Sequence, residues 1–203
     1  MKLLIATNNP GKMREIQAIL SGLPLELVTP AAVGLVLEVE ESGASYAENA
    51  ALKARAFAAA SGLVSLADDS GLEVEALNNE PGIRSARFAP QPAATDADRR
   101  AYLLERLRGI PHPPGDPGWR AHFHCTVAIA TPAGQVNFAE GRCDGFIIGE
   151  ERGTNGFGYD PLFFMPEWNA TMAELSEETK NQISHRARAL RNALPILQKL
   201  LRE

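Results

Sequence analysis

The stretch Val64-Ser65-Leu66-Ala67-Asp68-Asp69-Ser70-Gly71-Leu72-Glu73-Val74 constrains the fold more than any other part of the chain. An apolar run from Leu63 to Ala67 meets two adjacent carboxylates, which reads as a strand that stops there, with Ser70-Gly71 turning the chain. A strand ending in acids delivers them to a sheet edge, where an α/β fold keeps its ligand. Neighbouring carboxylates repel, so a cation, basic side chains or a raised pKa on one of them must compensate. Asp, Ser and Gly also form turns, and a plain turn is the competing account of the same residues.

With 203 residues the chain can bury a substantial core, as one domain or as two small lobes. An apolar share of 45% and a charged share of 22% are those of a soluble globular protein. The net charge of −5 argues against a nucleic acid polymer as partner, whereas a small anionic ligand remains open if positive charge is gathered locally. No apolar run approaches the roughly 20 residues of a membrane span. Met1 to Ala6 runs into Asn-Pro-Gly too early for a signal peptide. Cys125 and Cys143 are isolated, forming neither a disulfide framework nor a metal knuckle. A cytoplasmic chain is expected.

Leu3 to Ala6 reads as a short buried strand, followed by a helix with Met13, Ile16, Ile19, Leu20 and Leu23 on one face. Asn9 suits its cap and Pro10 its first turn. Lys12 is out of place there, because a cation in the first turn opposes the helix dipole. A bound phosphate would reverse that penalty, with free N–H groups and Lys12 converging on it; otherwise Lys12 is a solvated lysine. Leu25 to Thr29 suggests a second strand, and Glu38 to Gly43 an acidic surface loop. Ser45-Tyr46-Ala47-Glu48 is a capping box opening an alanine-rich helix that ends at Ser61-Gly62. Asn49, Lys53 and Ala56 share a face of it, and without further support that face is expected to meet water.

Glu73 to Leu77 alternates, Asn78 to Gly82 signals a turn, and Thr95 caps a helix with Leu103, Leu104 and Leu107 inward and Gly109 as its stop. Pro111 to Gly118 is a loop. Phe123 to Ala130 and Gln135 to Cys143 read as a hairpin around a type I turn at Thr131-Pro132-Ala133-Gly134. His122 and His124 share a strand face but lack a third ligand nearby, so they are expected to be structural. In Gly153 to Pro161 three glycines let backbone approach a ligand, and Phe157 and Tyr159 offer an aromatic face to a planar base. Thr171 to Glu174 is a further capping box. Ser184 starts a last helix with Ala187, Leu190, Leu194, Leu197 and Leu201 on one side, and Pro195 is expected to kink it. Lys180, His185 and Arg186 place positive charge beside that helix start, as Lys12 does beside the first.

Lys12, Lys53, Lys180 and Arg186 could meet polyanionic phosphate. Glu40 or Glu41, with Asp68 and Asp69, could hold a hard divalent ion, and Mg²⁺ takes few carboxylates plus phosphate oxygens. With Phe157 to stack on a base, these residues describe a nucleoside triphosphate held with magnesium.

Six blocks occur in order: Thr7-x-Asn9-x-x-Lys12; Glu48-Asn49-Ala50 with Lys53; Ala67-Asp68-Asp69-Ser70-Gly71-Leu72; Pro81-Gly82-Ile83-x-Ser85-Ala86-Arg87; Phe157-Gly158-Tyr159-Asp160-Pro161; and Ser184-His185-Arg186. Together they resemble the Ham1/inosine triphosphatase family, and most closely its bacterial dITP/XTP pyrophosphatase branch. The resemblance implies Mg²⁺-dependent hydrolysis of ITP, dITP and XTP to the monophosphate and pyrophosphate. It implies one α/β domain over residues 1–203, an elongated mixed β-sheet with flanking helices in two lobes, the cleft between them, and a homodimer. By matching position, Thr7, Asn8, Asn9, Pro10, Gly11 and Lys12 would grip the phosphates, and Asp69 would accept the proton. Ser70, Phe157, Gly158, Tyr159, Asp160, Lys180, His185 and Arg186 would contact substrate. Either Glu40 or Glu41 would join Asp69 on the metal, with Lys12 and Lys53 stabilising the leaving group. Asn155 departs from the glycine that relatives often carry there. Donors such as Arg186 and His185 would suit the 6-keto group of hypoxanthine or xanthine and mismatch the 6-amino group of adenine. A Maf-like nucleotide pyrophosphatase and a non-catalytic nucleotide sensor are the two alternatives.

Overall fold

Leu3, Leu4 and Ile5 are fully buried in strand β1 (Lys2–Ile5) of a computed structural model that describes residues 1–202. An unbroken apolar run is what a strand covered on both faces requires. The chain continues as α1 (Pro10–Leu20), β2 (Glu26–Val28), α2 (Tyr46–Ser61), β3 (Val64–Val74), β4 (Glu80–Pro81), α3 (Asp96–Leu107), β5 (Trp119–Ala130) and β6 (Val136–Ile147). It ends with β7 (Phe163–Met165), β8 (Ala170–Thr171), α4 (Glu177–Ile183) and α5 (His185–Leu200). Among the described residues the sheet has eight strands in the order β2-β1-β3-β5-β6-β7-β8, with β4 paired to β3. β1 runs parallel to β2 and β3, whereas β3–β4, β6–β7 and β7–β8 are antiparallel, so the sheet is mixed. Among the described residues no helix is long and apolar enough to cross a membrane.

The chain divides into two compact units. Unit 1 holds residues 1–69, 125–141 and those from Ser184 on; unit 2 holds 70–124 and 142–183. In unit 1 alternate strand residues feed two cores. Leu3, Ile5, Leu66, Val127 and Ile129 meet Ile16 and Leu20 of α1 and Leu190, Ala193 and Leu197 of α5. Leu4, Ala6, Ala67, Ala128 and Ala130 meet Ala50, Ala54, Phe57 and Ala58 of α2. The small residues on that second face explain the alanine-rich composition of α2, because alanine lets a helix approach a sheet closely while keeping high helix propensity. The core of unit 2 gathers Leu72, Val74, Leu103, Leu107, Phe123, Ile147, Tyr159, Leu162 and Phe163.

Several expectations are corrected. β3 does not stop at Asp68-Asp69 and Ser70-Gly71 does not turn; the strand runs on to Val74, so the carboxylates sit mid-strand in the sheet interior rather than at an edge. Leu72 and Val74 are fully buried, and that core burial outweighs the turn propensity of Ser and Gly. The hairpin strands exceed their expected length, while the turn is as expected, with Gly134 donating to the Thr131 carbonyl at 2.9 Å. Thr171-Glu174 opens no helix: Glu174 accepts the Thr171 N–H at 2.7 Å, but α4 begins only after Ser176, whose hydroxyl accepts from Thr179. The last helix forms as expected, as α5 with Pro195 inside it; Leu190, Ala193 and Leu197 on either side pack into one core and offset a proline cost of about 3 kcal/mol.

Gly141 of β6 lies directly against α5. A Cβ there would stand 2.2 Å from the His185 carbonyl oxygen and 2.3 Å from the Ala189 nitrogen, both backbone atoms that cannot swing aside. Gly141→Ala is therefore expected to destabilise by about 1–3 kcal/mol through overpacking. The measurement is a lower urea midpoint at unchanged m-value, and an unshifted midpoint would refute the close contact.

Candidate active site

Asp68 and Asp69 point into different surroundings, and their charges are handled differently. The Asp68 side chain is fully buried, with Lys12 Nζ at 3.0 Å and the Arg186 guanidinium at 3.1 Å from its Oδ2. Burial alone would raise its pKa; Lys12, Arg186 and Lys53 together overcome that and hold it well below the ordinary carboxylate range. Asp69 has the opposite balance. Burial pushes its pKa up and prevails over Lys53 and Lys12, with the Glu41 carboxylate adding to the rise. Two of the three remedies for adjacent carboxylates are thus present together: basic side chains for one residue, a raised pKa for the other.

Lys12 occupies the third position of α1, where it opposes the helix dipole, and Asp68 offsets that misplacement within the chain. The amides of that turn are not open to a phosphate as expected. Asn9 Oδ1 accepts both the Gly11 N–H at 2.8 Å and the Lys12 N–H at 3.1 Å, and Pro10 has none to give. Thr7 Oγ1 in turn accepts the Asn9 N–H at 3.2 Å. Asn8, Asn9 and Pro10 are exposed and Gly11 is buried, so the loop can meet a ligand mainly through side chains and the Lys12 ammonium.

The face of α2 carrying Asn49 and Lys53 turns toward Asp69 and Glu41 and is largely shielded from water. Asn49 is fully buried and donates from Nδ2 to Asp69 Oδ2 at 3.1 Å. Lys53 Nζ lies 2.6 Å from Glu41 Oε1, 2.7 Å from the Asp68 carbonyl oxygen and 3.9 Å from Asp69 Oδ1. Burial would lower the Lys53 pKa, but Asp68, Asp69 and Glu41 outweigh it, so the ammonium stays charged. Of the two candidate metal glutamates, Glu41 faces Lys53 while Glu40 is exposed. Among the described residues no three His, Cys, Asp or Glu side chains form a ready-made metal cage. Glu41 and Asp69, two hard oxygen donors on either side of one lysine, nevertheless suit an ion that completes its shell with phosphate oxygens.

Arg186 is buried where α5 begins, and its Nη1 pairs with Glu15 of α1 while Nη2 pairs with Asp68. Glu15 is a site residue the sequence reading missed. Its signal was present, a carboxylate one helical turn from Lys12 and next to buried Ile16. His185 is buried beside it, and Ser184 caps α5 by accepting the Ala187 N–H at 3.2 Å. Under Asp68, Cys125 is buried and its thiol pKa is driven far up, first by burial and then by Asp68, which leaves it unreactive.

The remaining expected residues belong to unit 2. Ser70 is half-buried within β3. Lys180 of α4 pairs with Asp160 at 2.5 Å and lies 4.7 Å from the centre of the Phe157 ring. Asp160 also accepts the Phe157 N–H at 2.9 Å. Gly156 is required here: its φ is +76°, and a Cβ would stand 2.1 Å from Asp160 Oδ2. Gly158 is held at both ends of its backbone, its N–H by Asp96 and its carbonyl by Arg100, two residues of α3 that the sequence did not single out. Asn155 ties its loop down by donating to the Leu175 carbonyl at 2.9 Å. Tyr159 is corrected: its ring lies in the core and its hydroxyl donates to the Ser85 carbonyl, so Phe157 alone remains as an aromatic face. His122 Nε2 lies 3.0 Å from Glu73 Oε2.

A profile of the Ham1 family matches residues 3–196. The dITP/XTP pyrophosphatase of Desulforamulus reducens is 47% identical over 200 residues, covering 98% of this chain and 97% of its own length. That of Thermus thermophilus is 47% identical over 194 residues, with 96% and 90% covered. Among solved structures, a HAM1 protein from Coxiella burnetii aligns with a TM-score of 0.86 at 38% identity over 98% of this chain and 99% of its own. The nucleoside-triphosphatase, or dITP/XTP pyrophosphatase, of Mycobacterium abscessus aligns with a TM-score of 0.74 at 43% identity, covering 96% and 100%.

Proposed function

Because this chain belongs to the Ham1 family, we propose that it hydrolyses dITP, XTP and ITP to the nucleoside monophosphate and pyrophosphate, clearing non-standard purines from the nucleotide pool. It is a nucleoside-triphosphate pyrophosphatase, as its relatives are. The observation that carries the proposal is the divided pair on β3. Asp68 is held ionised by Lys12 and Arg186, while Asp69, 5% exposed, has a raised pKa beside Lys53. A carboxylate with an elevated pKa is the better proton acceptor, and the neighbouring Asp68 holds Lys12 through its carboxylate and Lys53 through its carbonyl oxygen.

The cofactor is a divalent metal ion, here taken as Mg²⁺, with Glu41 and Asp69 as its protein ligands in preference to exposed Glu40. When bound, the ion neutralises charge on the phosphate oxygens. Asp69 accepts the proton of the water that attacks the α-phosphorus, and the bond to pyrophosphate breaks. Lys12 and Lys53 stabilise the charge that develops on the departing group. Thr7, Asn8, Asn9, Pro10 and Gly11 border the phosphates. Phe157, with Gly158, Asp160, Lys180, Ser70 and His185, supplies the remaining substrate contacts, Phe157 through its ring. Arg186 contributes through Asp68, to which its guanidinium is bound. Residues 1–203 form one functional domain, since the family match spans nearly all of them, and a cytoplasmic homodimer completes the proposal.

Incubation with dITP, XTP, ITP, dATP or dGTP and Mg²⁺, with the products identified by chromatography, tests this. Monophosphate and pyrophosphate from the first three, and little from the last two, are expected. Release of orthophosphate would indicate a different phosphatase, and binding without turnover a sensor.

A further inference from the structure

Asn49 is a costly residue where it stands. It lies in the first turns of α2, fully buried among alanines, where Ala or Leu would favour the helix and would not bury an amide. Its two polar atoms explain its presence. Oδ1 accepts the Gly43 N–H at 2.8 Å, and Nδ2 donates to Asp69 Oδ2 at 3.1 Å. A backbone N–H can only donate and an ionised carboxylate only accept, so the two partners themselves fix which end of the amide is which. Aspartate has no donor for Asp69, leucine has neither group, and glutamine is one methylene too long.

The acidic loop is fastened to α2 at two consecutive residues. Gly43 binds Asn49, and the Ala44 N–H is accepted by Glu48 Oε2 at 2.7 Å, so Glu48 reaches one residue further back than the Ser45 of an ordinary capping box. The approach is close enough to exclude any side chain at position 43. A Cβ there would stand 2.8 Å from Asn49 Oδ1 and 2.6 Å from the Glu48 Cβ. Two residues before this fastening, Glu41 reaches Lys53 one helical turn beyond Asn49. One amide therefore touches both the carboxylate on β3 and the loop that carries the other.

We infer that Asn49 is a positioning residue: it fixes Asp69 and, through Gly43, the Glu41 loop in one frame, so that both carboxylates meet the same ion and the same substrate. This rests on the function proposed above. Outer groups that orient metal ligands typically contribute about 10–100-fold in metal affinity or activity.

The test compares wild type, Asn49→Ala, Asn49→Asp and Gly43→Ala in steady-state hydrolysis of dITP and in Mn²⁺ titration followed by electron paramagnetic resonance, without nucleotide. Asn49→Ala is expected to lower kcat about 10–100-fold and weaken Mn²⁺ binding by a similar factor, with the KM for dITP changed less than about threefold. Asn49→Asp keeps the shape and the bond to Gly43 but turns a carboxylate toward Asp69, so it should be no more active than Asn49→Ala. Gly43→Ala breaks the other half of the joint and should also weaken Mn²⁺ binding. A purely structural role for Asn49 would lower the melting temperature while leaving kcat per folded enzyme and Mn²⁺ affinity within twofold, and would overturn the inference. Should Asn49→Ala not fold, wild-type kcat and Mn²⁺ affinity in Asn49→Asp would overturn it instead. A wild-type enzyme that releases no pyrophosphate from dITP or XTP would remove the functional premise, whereas variants that match an active wild type would remove the inference alone.

Discussion

Asp69→Asn is expected to keep its fold and lose about 10²–10⁴-fold in turnover, the range that a positioned general base contributes. The substitution is isosteric and replaces a buried, partly compensated carboxylate with a neutral amide, which costs less to bury. Asn49 would still find an oxygen to donate to, in place of the Oδ2 it reaches at 3.1 Å. What disappears is the proton acceptor and one of two carboxylates available to the metal. Circular dichroism and a urea midpoint near that of wild type, together with pyrophosphate release from dITP, make the measurement. Turnover within tenfold of wild type would take the chemistry away from Asp69 and leave its burial unexplained.

Arg186→Met should act on stability first. The guanidinium is 1% exposed and pairs with two carboxylates, Asp68 on β3 and Glu15 on α1. Methionine fills much of the space but leaves both acids buried without their cation, although Lys12 still reaches Asp68. Removing one partner of a buried ion pair costs about 3–5 kcal/mol, far more than the pair contributes over an apolar replacement. Chemical denaturation reads this directly, and a loss under about 1 kcal/mol would place Arg186 with the weakly contributing surface pairs. Neutralising the orphaned acid by combining Arg186→Met with Glu15→Gln should recover part of the loss, since the penalty is an uncompensated charge and not a missing contact.

The same residues show where sequence reading reaches and where it ends. Local order was legible. Asn9, Ser45, Thr95 and Ser184 each cap the helix their pattern announced, because a cap depends on two to four neighbouring residues. The buried strand at Leu3 and the apolar stripes of α1 and α5 followed from periodicity alone. The family blocks fixed the candidate chemistry, since their order and residue types survive in the primary chain.

Partnership was not legible. Lys12 and Arg186 both read as cations waiting for phosphate, and each instead has an acid of its own chain, Asp68 lying 56 residues from Lys12 and 118 from Arg186. Asn49 read as a solvent-facing amide until folding set Asp69 against it, and Tyr159 as a stacking face until the core enclosed it. Ser70-Gly71 looked like a turn ending the strand at Asp68-Asp69 because turn propensity is local, whereas burial of Leu72 and Val74 is not. Residue order alone sets which ionisable groups exist and which helices carry them. Folding then places one acid well below the ordinary carboxylate range and pushes the other above its usual value, because desolvation and Coulomb energy depend on neighbours in space, and those are settled by packing.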